Sequence, residues 1–318
     1  MKSAKEILSR MIAPLVALTA GAEPGGRPPA AVEFAIEGLL AGSIAHGAPS
    51  YSFAALGKGV LTPSPTEANF VQPQAVAEAL KQVLEPLGLH KRSLTVLLPD
   101  TLVRVLLLDF DELPAKASDA LSILRFRMRK ILPFDVEQAG VSYQILTQAK
   151  TQTRVLVTVV PATVLAEYEE LVRVAGYEPG AMLPATLAAL SLAPAEGPAL
   201  VASLNALELT TAITRGDDLL LYRALNLPVE ENQRKAEVER EIAVAAAYYE
   251  DKMGARPETL YYAGRSRGAG SAAERFGEWL GSCELTLSDL MERPETGALT
   301  PMGGLNPAAV AGALKGAA

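Results

Sequence analysis

The chain has 318 residues, 49% of them hydrophobic and 20% charged, which is the composition of a globular protein and not of a disordered one. Its length predicts roughly two domains, and its net charge of −7 argues against a broad nucleic-acid-binding surface. The single cysteine, Cys283, excludes an internal disulfide and a cysteine-cluster metal site, and it fits a reducing compartment.

Residues 1–30 form a segment of their own. Basic residues precede an apolar run over 11–22, a pattern that loosely resembles a signal peptide. Glu6 and Pro14 interrupt this pattern, and the run is shorter than the roughly 20 apolar residues of a membrane-spanning helix. We therefore expect a short amphipathic helix, which packs on the protein or lies on a membrane surface, and then a linker over 23–30.

The body of the chain begins with three predicted strands. Residues 31–45 form two of them around Glu37-Gly38, and residues 51–56 form the third. After a proline-rich loop, apolar residues at helical spacing predict a helix over about 74–87. The apolar run 93–99 is typical of a buried strand.

A strand–helix–strand–strand unit follows. The predicted strands are 103–110, 141–148 and 153–160, and the predicted helix covers 115–131 and ends before Pro133. Two of the basic residues on the polar side of this helix, Arg125 and Arg129, are expected to point outward. The expected core stripe of the helix consists of Ala117, Leu121, Leu124, Met128 and Ile131.

The second half repeats the theme of the first, since another three-strand meander is followed by helices and a further strand. Two α/β halves of this kind predict a bilobal fold with a cleft between the lobes. The predicted elements are helices over 162–175 and 184–192, with a strand or loop up to Leu183 between them, three strands within 201–225, a helix over 234–253, a strand over 259–264, and helices over 272–280 and 305–315.

Motifs for catalysis are weak. Residues 264–268 match G-x-S-x-G between a strand and a helix, but the histidine of that site must follow the serine, and His46 and His90 both precede it. Residues 268–273 fit a relaxed G-x-G-x-x-A pattern too near the C-terminus for a dinucleotide-binding domain to follow. We predict no catalytic residue and no metal site.

Three stretches resemble the PilM family of type IV pilus assembly proteins, which are actin-like and related to FtsA. They are VRVLLLDFDELP, RFRMRKILPFDVEQAGVSYQIL and VTVVPATVLAEYEELVRVAGYEP, and the match is most specific over 99–185. The resemblance implies an α/β, bilobal, actin-like (ribonuclease H-like) fold. Its first lobe would cover 31–185 with an inserted subdomain over about 101–162, and its second lobe would cover 186–318.

The resemblance also implies a role. In the family, the first lobe binds the cytoplasmic N-terminal peptide of PilN, a single-pass inner-membrane protein that pairs with PilO. We therefore expect a cytoplasmic protein at the inner face of the inner membrane, with a PilN-like partner, a PilO-like partner further on, and no nucleic acid. The expected peptide-binding walls are the strands near 33–56 and the unit 103–148. Arg125 and Arg129 are candidates for contact with an acidic segment or the membrane.

In actin-like proteins, each lobe begins with a hairpin of the kind D-x-G, in which glycine lets backbone N–H groups approach phosphates and aspartate holds the metal ion. Residues 33–38 have no aspartate and no glycine in the turn. Residues 203–210 have Leu204 at the aspartate position and the bulky Leu207 where close approach is needed. A third stretch, beside the adenine, keeps only Gly264.

These losses predict a scaffold that is not an enzyme and has no cofactor. Asn205, Glu208 and Gly264 are the degenerate nucleotide positions, and Asn205 and Glu208 keep oxygen atoms that can coordinate a cation. Two alternatives stay open: a protein that binds or hydrolyses ATP with magnesium, and a cytoplasmic scaffold of type II secretion. The latter normally carries a transmembrane helix, which this sequence does not predict.

Overall fold

The computed structural model describes residues 28–45, 48–149, 152–216, 218–264, 272–292 and 305–315, which form three β-sheets with helices packed on them. Five sequence-based expectations lie outside these ranges: the N-terminal helix, most of the linker after it, His46, residues 265–268 of the G-x-S-x-G motif, and residues 268–271 of the G-x-G-x-x-A pattern. Within the described ranges, no helix combines the length and apolar character needed to cross a bilayer.

The first lobe is built on a five-stranded sheet in the order β3-β2-β1-β4-β8. An antiparallel meander forms one half, and the remaining strands run parallel to β1. Helices α1 and α3 pack on this sheet through apolar faces. The elements are β1 (Ala30–Ala35), β2 (Gly38–Ala45), β3 (Ala48–Ala55), α1 (Pro73–Leu84), β4 (Ser93–Leu98), α3 (Ala162–Val174) and β8 (Glu178–Pro184).

The second lobe repeats this topology with the order β11-β10-β9-β12-β13. Helix α5 is polar outside and buries Val238, Ile242 and Ala245 against the sheet. The lobe has its own apolar core. Its elements are β9 (Pro198–Asn205), β10 (Glu208–Arg215), β11 (Asp218–Asn226), α5 (Glu231–Met253), β12 (Thr259–Tyr262), α6 (Ala272–Trp279) and β13 (Thr286–Asp289).

The inserted subdomain is a three-stranded antiparallel sheet, in the order β5-β7-β6, covered by one helix. Its elements are β5 (Arg104–Phe110), α2 (Ala117–Met128), β6 (Ala139–Gln148) and β7 (Thr153–Pro161). Helix α2 buries Ala120, Leu124 and Met128. The predicted stripe is thus right at its centre and wrong at its ends, because Ala117 and Ile131 are exposed.

The chain returns to the first lobe near its end. Helix α4 (Ala185–Ala189) follows β8, and helix α7 (Ala308–Lys315) packs against α4, β1 and β2. Ser191 donates a hydrogen bond to the carbonyl of Gly312 at 2.8 Å, and Lys315 donates to the carbonyl of Ser191 at 2.9 Å. The predicted range 186–318 is therefore not a single lobe in space, since α7 belongs to the first.

Candidate functional site

A cavity of about 340 Å³ lies where the two lobes meet. The β1–β2 turn of the first lobe and the β9–β10 turn of the second approach it from either side, at the positions where the sequence predicts degenerate phosphate hairpins. Much of its lining is apolar. The lining residues include Ile36, Glu37, Lys58, Leu61, Pro63, Asn205, Ala206, Leu207, Glu208 and Asn226.

The first turn offers side chains where a phosphate would need backbone N–H groups. Ile36 and Glu37 occupy the two turn positions, and Gly38 is the first residue of β2. Gly38 has φ +152°, and a Cβ there would lie 2.3 Å from the carbonyl oxygen of Ala54. Packing against β3 therefore explains this glycine without a nucleotide.

The second turn corrects one sequence-based assignment. Leu204 is buried in the core of the second lobe and does not line the cavity, so it is not the residue at the cation position. Asn205 lines the cavity in its place. Ala206 has φ +37°, in the left-handed region that favours glycine. The turn thus keeps a glycine-like conformation, while a methyl group projects from it.

Gly264 also has a structural explanation. A Cβ at this position would lie 2.3 Å from the hydroxyl oxygen of Tyr262 and 2.5 Å from the carbonyl oxygen of Leu204. Tyr262 itself donates a hydrogen bond to that carbonyl at 3.2 Å. Close packing of β12 on β9 requires a residue without a side chain here.

Glu208 is the chemically unusual group of the cavity. The hydroxyl of Thr101 donates a hydrogen bond to its carboxylate, which links the segment after β4 to the second lobe. Burial raises the pKa of Glu208 to about 8, and the negative charges of Asp100 and Glu37 act in the same direction. The Thr101 hydrogen bond opposes this rise in pKa.

This raised pKa predicts a pH-dependent stability. The folded chain binds the Glu208 proton more tightly than the unfolded chain, in which the pKa of this group is 4.5. The stabilisation that this proton gives is therefore fully present below pH 4.5 and is lost as the pH rises towards about 8. We expect the free energy of unfolding to fall by several kcal/mol over this window, with an upper limit of about 5 kcal/mol.

Urea unfolding of wild type and Glu208→Gln at pH 5 and pH 8.5 measures the effect, because the amide keeps the acceptor for Thr101 and does not titrate. Asp100 is present in both chains, so the difference between their pH slopes reports Glu208 together with its electrostatic coupling to Asp100. An identical slope in the two chains would contradict the assignment.

Asp100 forms the second contact between the lobes, and sequence reasoning did not single it out. It follows β4 and is completely buried. Four donors reach its carboxylate: the Thr186 backbone N–H at 3.0 Å, the Thr186 hydroxyl at 2.5 Å, the Thr210 hydroxyl at 3.0 Å and the Tyr222 hydroxyl at 2.7 Å. Thr210 and Tyr222 lie on β10 and β11 of the second lobe, so this carboxylate joins the lobes beneath the cavity.

Burial raises the pKa of Asp100, and the four hydrogen bonds oppose that rise. Each of these donors points at the carboxylate and none at the cavity. Asp100 thus has a structural role, and each of its carboxylate oxygens already accepts two hydrogen bonds.

The cavity has little of what a nucleotide triphosphate requires. Glu37 and Glu208 lie at the two turns, and Lys58 is the one cation among the described residues that line the cavity. Within the described ranges, no three side chains of histidine, cysteine, aspartate or glutamate come together as a metal site. The two turns carry Ile36, Glu37, Ala206 and Leu207 at the positions that the sequence comparison assigns to phosphate hairpins.

The two candidate partner-binding arginines lie on the inserted subdomain, apart from this cavity. The prediction that Arg125 points outward is wrong, because its guanidinium donates hydrogen bonds to the carbonyl oxygens of Val136 and Ala139. Arg129 is exposed and pairs with Glu137 at 2.6 Å. A role of Arg129 in partner binding stays a prediction.

No family model and no curated protein matches this sequence. Among solved structures, a chain of the PilM–PilN type IV pilus biogenesis complex is similar, with a TM-score of 0.71 and 18% identity over 92% of this chain and 99% of that one. The cytoplasmic domain of EpsL from the type II secretion system of Vibrio cholerae has a TM-score of 0.47 and 13% identity, over 83% and 98% of the two chains. EutJ from Carboxydothermus hydrogenoformans has a TM-score of 0.44 and 13% identity, over 98% and 99%.

The first of these likenesses establishes the fold. The chain shares the fold of that chain of the PilM–PilN complex, and the predicted bilobal, actin-like α/β fold class is confirmed. At 18% identity, the likeness leaves the role of the chain to be argued from its own residues.

Proposed function

We propose that this protein is a non-catalytic, PilM-like scaffold of a type IV pilus assembly platform, which binds the cytoplasmic N-terminal peptide of a PilN-like membrane protein. It acts at the inner face of the inner membrane, and its PilN-like partner connects it to a PilO-like protein and the outer parts of the machine. The observation that carries the proposal is the fold shared over 92% of the chain with a protein solved as part of a PilM–PilN complex.

The chemistry of the interlobe cavity supports a role without catalysis. Its two turns present Ile36, Glu37, Ala206 and Leu207 where phosphate binding needs glycines and a metal-binding aspartate. Hydrogen bonds from Thr210 and Tyr222 to Asp100, and from Thr101 to Glu208, join the two lobes directly. A protein without a reaction at this site acts through its surface.

The seam between the inserted sheet and the first lobe is the docking site that we favour for the peptide. Alternate residues of β7 face opposite ways. Val155, Val157 and Val159 pack under α2, whereas Leu156 and Val160 join the core of the first lobe. On β6, Leu146 likewise packs towards the first lobe, while Tyr143 packs under α2.

This seam contains two buried polar groups without a hydrogen-bond partner among the described residues. Gln144 on β6 is 7% exposed, and its side-chain oxygen accepts no hydrogen bond from the described residues. The Thr158 hydroxyl, on the neighbouring strand, is buried and also lacks a partner within them. Because β6 is an edge strand, an extended peptide can pair with its free main-chain groups, next to the strand that carries Gln144.

Fluorescence anisotropy with the labelled N-terminal peptide of the PilN-like protein tests this proposal. We expect a dissociation constant on the order of micromolar, as for short peptides that are ordered on binding. Gln144→Leu removes the acceptor at nearly constant volume and is expected to weaken binding about tenfold.

Ile145→Ala is the matched control, since this neighbouring side chain on the same strand is exposed. It should change the affinity by less than about twofold. Absence of binding by the wild type would refute the proposed function. If Gln144→Leu and Ile145→Ala weakened peptide binding equally, the seam would not be the docking site.

A further inference from the structure

The outward face of helix α2 is unlike the rest of the surface. Ile123, Phe126, Arg127 and Lys130 are spaced by three and four residues and so form one stripe along the helix and its last turn. All four are exposed, and Phe126 exposes 65% of its surface. We call this set the α2 stripe.

The charges around the α2 stripe leave it positive. Lys116 pairs with Asp119, and Arg129 pairs with Glu137. Arg125 is bound to backbone carbonyls. Arg127 and Lys130 have no ion pair within the described residues, so two free cations flank an exposed aromatic ring on a protein whose net charge is −7.

We infer that the α2 stripe is a contact site for an anionic lipid surface. An aromatic and an aliphatic side chain, flanked by arginine and lysine, fit the boundary between acyl chains and anionic headgroups. Four side chains on one convex helix cover far less than the roughly 1,000 Å² of a specific protein–protein interface. A peripheral contact with a lipid surface needs no such area.

The position of the stripe in the fold agrees with this assignment. Helix α2 covers one face of the inserted sheet, whose strands also contact α3 of the first lobe and β11 of the second. The stripe therefore points away from the body of the protein and stays accessible when the interlobe cavity or the β6 seam is occupied. The inference does not depend on the pilus role, because it needs no partner protein.

Sedimentation of the full chain with lipid vesicles tests the inference. We expect binding to vesicles that contain phosphatidylglycerol, no binding to phosphatidylcholine alone, and weakening by salt. Reversing both charges with Arg127→Glu and Lys130→Glu should lower the partition coefficient by at least about 30-fold. Phe126→Ala tests the apolar part separately and should lower it several-fold.

Lys81→Glu with Lys91→Glu is the matched control, because it changes the net charge equally at two exposed positions outside the inserted subdomain. This control should retain at least half of the wild-type partition coefficient. The inference is overturned if the wild type does not bind anionic vesicles, or if the control and the stripe variant lose binding equally. The inference is also overturned if the variant with Arg127→Glu and Lys130→Glu still binds vesicles but no longer binds an acidic partner protein.

Discussion

Replacing Asp100 by alanine is expected to destabilise the protein by about 3–5 kcal/mol, because it leaves four buried donors without an acceptor. Two of these donors, Thr210 and Tyr222, belong to the second lobe. The loss therefore falls on the joint between the lobes as well as on the first lobe. Against a typical total stability of about 5–15 kcal/mol, it is a large fraction.

Chemical unfolding of the purified variant measures the loss, and limited proteolysis reports whether the lobes separate before they unfold. Asp109→Ala is the control: this aspartate is exposed, pairs with Arg154 at 2.9 Å, and should cost no more than about 1 kcal/mol. Tyr222→Phe removes a single donor and should cost about 1 kcal/mol. A loss below about 1 kcal/mol for Asp100→Ala would show that this carboxylate does not pin the lobes.

The second large effect concerns nucleotide. We expect no magnesium-dependent ATP hydrolysis and a dissociation constant for ATP weaker than about 1 mM. Phosphates bind where backbone N–H groups converge and a carboxylate holds the metal ion. Here both turns carry bulkier side chains, and the hydroxyl of Thr101 already occupies one oxygen of Glu208.

Calorimetry with magnesium and ATP, together with a phosphate-release assay, checks this expectation. Asn205→Asp combined with Ala206→Gly repairs the cavity-facing part of the second hairpin. It should not restore binding, since Ile36 and Glu37 remain in the first. Leu204→Asp is unsuitable for this purpose, because it would bury a carboxylate in the second core. A micromolar dissociation constant for the wild type would contradict the non-catalytic assignment.

Local patterns in the sequence were enough to predict most of the fold. The turns at Glu37-Gly38 and Gly216 separate apolar runs and mark both meanders, which the structure places at the start of each lobe. The strand–helix–strand–strand order of residues 103–160 was predicted from the sequence, and the resemblance to the PilM family implied that this unit is an inserted subdomain. β13 (Thr286–Asp289) escaped prediction because Leu287 is its one apolar residue, whereas the equally short β12 is largely apolar and aromatic. α7 was placed in the wrong lobe because packing, not sequence order, decides where a terminal helix lies.

The site was harder to predict, because its contacts join distant parts of the chain. Asp100 acquires its role from Thr186, Thr210 and Tyr222, and no local pattern connects these positions. Its one signal is a carboxylate directly after a buried strand, where functional side chains of α/β proteins gather. Arg125 was misread for a similar reason, since its partners Val136 and Ala139 lie beyond the end of its helix.

The central claim is that this actin-like protein binds a membrane protein's peptide without using nucleotide. Calorimetric titration of the N-terminal PilN-like peptide into the full chain, with and without magnesium and ATP, tests it most directly. If no nucleotide binds, linkage requires the peptide affinity to be the same in both titrations. The account predicts one micromolar dissociation constant, unchanged within about twofold by ATP. Peptide binding that appears only with ATP, or that shifts tenfold on its addition, would contradict it.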